Sequence, residues 1–197
     1  MLLGCILSAA SCGQWWIEDV LKTDNYAAEQ TTLNNGGRGE VMFLPYLMGE
    51  RSPHNDPNAR GVFLGMDRAT EREDMTRAVY EGVTYALRDC LEVARSQGIA
   101  LERVRLCGGG AVSPAWQQMT ADILNLKVEI PAQLQGPSLG AAMLAATADG
   151  AFASLAKAAD RMSLVERELE PDHEAAERHE RKYRRFQQIY QALKPLF

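Results

Sequence analysis

The chain has 197 residues, of which 46% are hydrophobic and 24% charged, a composition typical of one globular domain with a single core. Its formal net charge of −5 and pI near 5.3 argue against nucleic-acid binding, because the basic residues near the C-terminus alternate with glutamates. No apolar run approaches the ~20 residues that cross a bilayer, so we expect no membrane span.

The cysteines and histidines do not indicate a metal site. Cys5, Cys12, Cys90 and Cys107 are spaced neither as pairs of metal ligands nor as a disulfide framework, and the three histidines lack metal-ligand spacing. Cys90 falls on the apolar stripe of a predicted helix and Cys107 in a predicted apolar strand, where cysteine behaves as a small buried hydrophobe. Reduced thiols and a cytoplasmic location are therefore expected.

The opening segment, MLLGCILSAASCGQWW, could be mistaken for a secretory or lipoprotein leader. It lacks a basic start, and its apolar pattern continues through Trp15, Trp16 and Ile17. A buried helix over residues 5–22 fits this pattern better. A chain that opens in a helix, with neither a cap nor a preceding strand, is expected to be part of a longer protein.

The next segments alternate between short strands and loops. Residues 23–39 predict a short helix and a loop, and residues 41–47 and 60–66 predict two strands around a polar loop over 49–60. The acidic, basic and histidine side chains of this last loop could form an acid/base set, or its first two charged residues could form an ion pair that fixes the loop, which we favour. The side chains concerned are Glu50, Arg51, His54 and Asp56.

A long amphipathic helix is predicted over residues 71–97, because apolar residues recur at intervals of three and four. Thr70 and Glu73 form a candidate capping box at its start. Gly82 in its interior would cost ~1 kcal/mol relative to alanine, which predicts the close approach of another backbone. Glu81 is expected to pair with a loop arginine such as Arg60.

The remaining chain alternates between strands and helices, which indicates an α/β layer structure. In the last helix the apolar side chains of Tyr183, Phe186, Tyr190 and Leu193 share one face, which could serve the core or a subunit interface. The predicted elements are a strand over 104–107, a glycine turn, a helix over 114–126, a strand over 127–130, and helices over 138–149 and 172–193.

The glycine turn is the most informative feature, within VRLCGGGAVSPAWQQMTADIL at 104–124. A predicted strand leads into three glycines, which permit positive φ and leave backbone N–H groups uncovered. Ser113 occupies the position of a helix N-cap, and Pro114 suits the first helical position. Such a turn can bind a nucleotide phosphate, although many glycine turns only reverse the chain. Its spacing matches neither the Rossmann fingerprint nor a Walker A motif.

This segment resembles the second signature of the FGGY carbohydrate kinase family, with Ser113, Trp116, Gln117 and the Ala121-Asp122 pair in register. Residues 43–66, the helix around 77–83 and GPSLGAA at 136–142 are similar to the same family and follow in the same order. The stretch GERSPH at 49–54 is similar to the members that phosphorylate xylulose, more than to those acting on glycerol or gluconate.

The resemblance implies a ribonuclease H-like, actin-type α/β fold in which residues 1–197 form the C-terminal nucleotide-binding domain, with its first strands missing. It implies transfer of the γ-phosphoryl group of ATP, with Mg²⁺, to D-xylulose. The catalytic aspartate and the sugar-binding residues would lie in an absent N-terminal domain, so the chain alone is expected to be inactive. The implied partners are an adenine nucleotide, the sugar in the full-length enzyme, and a second copy in a homodimer. Glycerol, gluconate or ribulose as acceptor, and a non-catalytic nucleotide-binding or interaction module, remain alternatives.

The resemblance also implies the residues that bind the nucleotide. Gly109 and Gly110 would lie against ADP, with Gly108 completing the turn. Ser113 takes the place of an asparagine that contacts the adenine side in related kinases, and its hydroxyl has a shorter reach. In glycerol kinases a glycine and a glutamine of the opening helix face the nucleotide, and their places are taken here by Ala10 and Gln14.

Overall fold

The computed structural model describes residues 3–33, 40–134 and 136–197. Its helices are α1 Ala10–Gln14, which continues as a π-helical segment Trp15–Val20, α2 Tyr26–Thr31, α3 Arg72–Ser96, α4 Pro114–Leu124, α5 Gly136–Ala148, α6 Leu155–Met162 and α7 His173–Leu193. Its strands are β1 Met42–Leu44, β2 Val62–Leu64, β3 Arg103–Arg105, β4 Lys127–Pro131 and β5 Val165–Leu169. The last part of the loop predicted over 23–39 lies outside the described residues.

The strands form two small sheets. β1 and β2 pair as an antiparallel hairpin. In the other sheet the order is β3-β4-β5, with β3 parallel and β5 antiparallel to the central β4. The alternation of helices and strands predicted from the sequence is confirmed, and α6 and β5 are additions that it did not predict.

Three local predictions are wrong. The opening helix begins at Ala10 and not at residue 5, because the preceding segment is tied to a distant loop: Cys5 N–H donates to Ser52 Oγ and Ser52 N–H to the Cys5 carbonyl, both at 3.0 Å. The capping box of α3 consists of Glu71 and Asp74, while Thr70 belongs to the preceding turn. Cys107 is exposed, because β3 ends at Arg105, two residues before it.

The main core surrounds α3. Its partners include the opening helix, the β1–β2 hairpin and α7, and its largest buried side chains include Phe43, Tyr46, Tyr85 and Phe186. Tyr183, Phe186 and Tyr190 are buried and Leu193 is half-buried, so this face of α7 serves the core. The close approach predicted at Gly82 is also confirmed, since the Phe43 carbonyl of β1 lies directly against its backbone.

A second apolar cluster joins α4 to the sheet that contains β4. Ala121, Val128 and Ile130 are buried there, with Leu169 of β5 packed against them. α4 ends at Leu124, and the next residue, Asn125, adopts the left-handed conformation typical of a helix C-terminus. The cluster therefore fixes α4, and with it the turn that precedes α4.

Across the described ranges, no helix combines the length and apolar character needed to span a membrane.

Candidate functional site

The glycine turn lies between β3 and α4. Gly108 has a φ of +86°, a conformation that favours glycine, and its N–H donates to the Leu134 carbonyl at 2.6 Å. Gly109–Val112 then form a 3-10 turn, in which the Ala111 N–H donates to the Gly108 carbonyl at 3.0 Å. The chain thus reverses from the sheet to the start of α4 within a few residues.

The glycines of the turn have different surroundings. Gly108 and Gly109 are exposed, and a Cβ atom at either would meet nothing within 4 Å. A Cβ at Gly110 would lie 2.6 Å from the Trp116 ring, so close packing of the aromatic side chain accounts for this glycine. The open backbone surface of the turn is therefore formed by Gly108 and Gly109.

Ser113 is the N-cap of α4, as predicted. Its Oγ accepts the Trp116 N–H at 3.4 Å, and Pro114 occupies the first turn of the helix. The Ser113 side chain is buried. Its hydroxyl is therefore used inside the protein to satisfy the start of α4.

A buried amide supports the end of the turn. Gln117 Nε2 donates to the Ala111 carbonyl at 2.5 Å, and Gln117 Oε1 accepts from Nη2 of Arg167. Both side chains line a cavity of about 430 Å³ beside the turn, together with Val112 and Leu134. The sequence did not predict a role for Arg167, because the strand that carries it, β5, was not predicted.

The opening helix reaches the turn through an aromatic pair. A Cβ at Gly13 would lie 3.1 Å from Tyr80 Oη, and the Tyr80 and Trp116 rings meet edge to face at 4.9 Å. The predicted site residues on this helix, Ala10 and Gln14, are both exposed, and Gln14 Nε2 donates to Glu18 Oε2 at 3.0 Å. The structure thus links the two segments through packed rings and leaves both residues accessible.

The loop over 49–60 is held by backbone hydrogen bonds and not by the favoured ion pair. The Glu50 carboxylate accepts the N–H groups of Arg51 at 2.6 Å and Ser52 at 3.1 Å, whereas the Arg51 side chain is exposed. His54 stacks on Tyr190 of α7 with the ring centroids 3.8 Å apart. The loop is therefore fixed to α7 by aromatic packing.

The predicted pairing of Glu81 with Arg60 is also wrong. Glu81 Oε1 accepts from Arg77 at 2.8 Å, and its other oxygen contacts Lys182 of α7 at 2.5 Å. Arg60 instead donates to the carbonyls of Pro57 and Ala59. Glu81 therefore connects α3 to α7, a contact between residues far apart in the chain.

Burial of Glu50 predicts a pH-dependent stability. Burial raises the pKa of this carboxyl from 4.5 to about 6, so the folded state holds its proton more tightly than the unfolded state. Below about pH 4 the carboxyl is protonated in both the folded and the unfolded state, so its burial does not change the stability. As the pH rises through about 6 the buried carboxyl must ionise, and its burial then destabilises the folded state. Glutamine does not ionise, so the unfolding free energy of Glu50→Gln minus that of the unsubstituted chain should increase by about 2 kcal/mol between about pH 4 and pH 7. Urea unfolding of both proteins across this range measures it, and parallel pH profiles would contradict it.

Comparison with known proteins gives the family. The profile of the FGGY family of carbohydrate kinases, C-terminal domain, matches residues 5–148. The chain is 38% identical to the xylulose kinase of Escherichia coli in an alignment of 208 positions, which covers 99% of this chain and 40% of that protein. It is 37% identical over 179 residues to glycerol kinase 2 of Thermotoga maritima, covering 88% of this chain and 35% of that protein.

A solved structure gives the same result. A xylulose kinase from Brucella ovis superposes with a TM-score of 0.85 at 32% identity, over 98% of this chain and 40% of the other. The predicted ribonuclease H-like α/β fold is thereby confirmed, and the chain spans about two fifths of the length of these xylulose kinases. The chain belongs to the FGGY family of carbohydrate kinases.

Proposed function

We propose that this chain is the adenine-nucleotide-binding part of a sugar kinase that transfers the γ-phosphoryl group of ATP to D-xylulose. The observation that carries the proposal is the open backbone of Gly108 and Gly109, immediately before the N-terminus of α4. An exposed backbone without side chains and a helix N-terminus at one place favour phosphate oxygens. In this proposal Gly109 and Gly110 lie next to ADP, and Gly108 sets the direction of the turn.

The other predicted site residues receive smaller roles. Ser113 acts mainly by capping α4, because its hydroxyl is buried and accepts a backbone N–H. Gln14 is exposed and could exchange its hydrogen bond with Glu18 for one to the nucleotide. Ala10 would contribute backbone and shape only.

The chemistry of transfer is proposed to depend on the rest of the protein. Residues 1–197 would be the C-terminal nucleotide-binding domain, and the carboxylate that accepts the hydroxyl proton would lie in an N-terminal domain with the sugar site. Mg²⁺ would enter with the ATP phosphates and neutralise part of their charge. Within 3–33, 40–134 and 136–197 no group of three or more His, Cys, Asp or Glu side chains is arranged to hold a metal.

D-Xylulose is proposed as the acceptor because of the stretch at 49–54 and the names of the relatives at 38% and 32% identity. Glycerol is the second candidate, because the relative at 37% identity is a glycerol kinase. Assays of the whole enzyme with xylulose, glycerol, gluconate and ribulose would separate these acceptors. Dimer formation remains a prediction.

A substitution at Gly109 tests the nucleotide site. Gly109→Asp should raise the dissociation constant for ADP at least tenfold, because it places a carboxylate next to the phosphates while its Cβ meets no neighbouring atom. Calorimetric titration of ADP into residues 1–197 measures it. Ala156→Asp, on the exposed surface of α6, adds the same charge elsewhere and should bind like the unsubstituted chain. Equal affinity of Gly109→Asp and Ala156→Asp would remove the turn from the site.

The isolated chain should show no kinase turnover. The expected reason is that it supplies the nucleotide side of the site without the residues that activate the sugar hydroxyl. A coupled assay for ADP release, with ATP, Mg²⁺ and xylulose, measures it, and a whole xylulose kinase serves as the positive control. Phosphorylation of xylulose at an enzyme-like rate by residues 1–197 would contradict the proposed division of the protein.

A further inference from the structure

The amide of Gln117 is held in one orientation by two partners. The Ala111 carbonyl can only accept a hydrogen bond, and the Arg167 guanidinium can only donate one. Only one arrangement of the amide satisfies both, with its nitrogen toward Ala111 and its oxygen toward Arg167. Gln117 is 3% exposed, so its amide is largely shielded from water. We call these three groups the Gln117 bridge.

The bridge acts on a turn whose first two residues have no side chains. Gly108 and Gly109 have no side chains, and a Cβ added to either would be free of neighbours. Glycines lose more conformational freedom on ordering than any other residue. The turn is also held by the backbone hydrogen bonds of Gly108 and Ala111 and by the packing of Trp116 on Gly110, and the amide of Gln117 adds the one side-chain hydrogen bond described for the Ala111 carbonyl. Loss of the bridge should therefore loosen the turn.

Arg167 provides the second half of the bridge from a distant part of the chain. It lies on β5, where its backbone is in register with Ile130 of β4. Within the described ranges Arg167 forms no salt bridge with a carboxylate; its bond to Gln117 is to a neutral amide. Its side chain also lines the cavity beside the turn, so its positive charge lies close to the turn.

We propose that Gln117 and Arg167 are positioning residues for the nucleotide: Arg167 orients the Gln117 amide, which holds the Ala111 carbonyl and keeps the glycine turn in its binding conformation. The inference rests on the proposed function, because the turn is assigned there to ADP. Neither residue needs to contact the nucleotide. Their effect is to lower the entropic cost of ordering the turn when ADP binds.

Two measurements on residues 1–197 test this inference: calorimetric titration with ADP, and hydrogen–deuterium exchange of the backbone amides of 108–113 without nucleotide. Arg167→Ala should weaken ADP binding about five- to tenfold and speed exchange in the turn severalfold, because the amide loses the partner that orients it. Arg167→Lys, which restores a cationic donor, should recover part of both losses. Arg161→Ala, which removes an exposed arginine from α6, should change neither.

A substitution at Gln117 separates the two contacts. Gln117→Glu keeps an acceptor for Arg167 but removes the N–H group donated to the Ala111 carbonyl, so exchange in the turn should rise although the arginine contact survives. Circular dichroism and urea unfolding confirm that each variant is folded. Because Arg167 is exposed, its variants should fold even if a change at buried Gln117 is not tolerated.

The outcomes are distinguishable. Faster exchange in the turn together with weaker ADP binding in Arg167→Ala supports the inference. Exchange and affinity equal to those of Arg161→Ala would overturn it. Failure of the unsubstituted chain to bind ADP would count against the proposed function, and with it against the role assigned to the bridge; the exchange rates would still show whether Arg167 holds the turn.

Discussion

Gly82→Ala is expected to lower the free energy of unfolding by about 3 kcal/mol or more. The added Cβ would lie 2.1 Å from the Phe43 carbonyl oxygen and 3.0 Å from its carbonyl carbon, both backbone atoms of β1. Phe43 cannot retreat easily, because its ring is packed against those of Phe63 at 4.6 Å and Trp15 at 6.0 Å. Relief of the clash therefore requires α3 and β1 to separate. Urea unfolding, followed by circular dichroism, measures the loss.

Gly140→Ala is the matched control. Gly140 also lies inside a helix, α5, but a Cβ there would meet nothing within 4 Å. The better helix propensity of alanine should then raise the unfolding free energy by up to ~1 kcal/mol. The two substitutions are chemically identical and should have opposite signs. If both were stabilising, the close packing of α3 on β1 would be wrong.

Gly82 illustrates what a sequence pattern can predict. A glycine inside a strongly periodic helix has a known local cost, so its presence indicates a tertiary reason, and the structure supplies the Phe43 carbonyl. The start of α4 is predictable for a similar reason, because Ser113 caps a helix whose first residue is Pro114. Both predictions depend on residues close together in the chain.

Features that leave no local signal in the sequence were not predicted. The first helix starts late because Cys5 pairs with Ser52, and nothing local to Cys5 signals that contact. β5 was missed because most of its residues are charged and glutamate is depleted in strands. It is held in place by pairing with β4 and by contacts such as Lys127 Nζ to Glu168 Oε2 at 3.1 Å.

The candidate site likewise has a part that was predicted and a part that was not. The glycine turn and its cap were predicted from a single segment of sequence, whereas the support that Gln117 receives from Arg167 joins residues 50 positions apart. That contact depends on how β5 packs beside α4. Periodicity and motif spacing describe a single helix or strand. They carry no information about which side chains of different elements contact each other.

Glu81→Ala is expected to lower the free energy of unfolding by about 3 kcal/mol. The Glu81 side chain is 3% exposed and contacts two cations, Arg77 at 2.8 Å and Lys182 at 2.5 Å. Removing the carboxylate leaves both positive charges partly buried near each other. Equilibrium urea unfolding at neutral pH measures the effect. Glu81→Gln keeps the shape and one acceptor, so its loss should be smaller.

A surface glutamate provides the control for this substitution. Glu174 also belongs to an i,i+4 pair, with Arg178 on α7 at 4.0 Å, but its side chain is 92% exposed. Water solvates both charges there, so Glu174→Ala should leave the unfolding free energy almost unchanged. Lys182→Met, which keeps the Glu81–Arg77 pair, should fall between Glu174→Ala and Glu81→Ala. Equal effects of Glu81→Ala and Glu174→Ala would mean that the buried carboxylate does not hold α7 against α3.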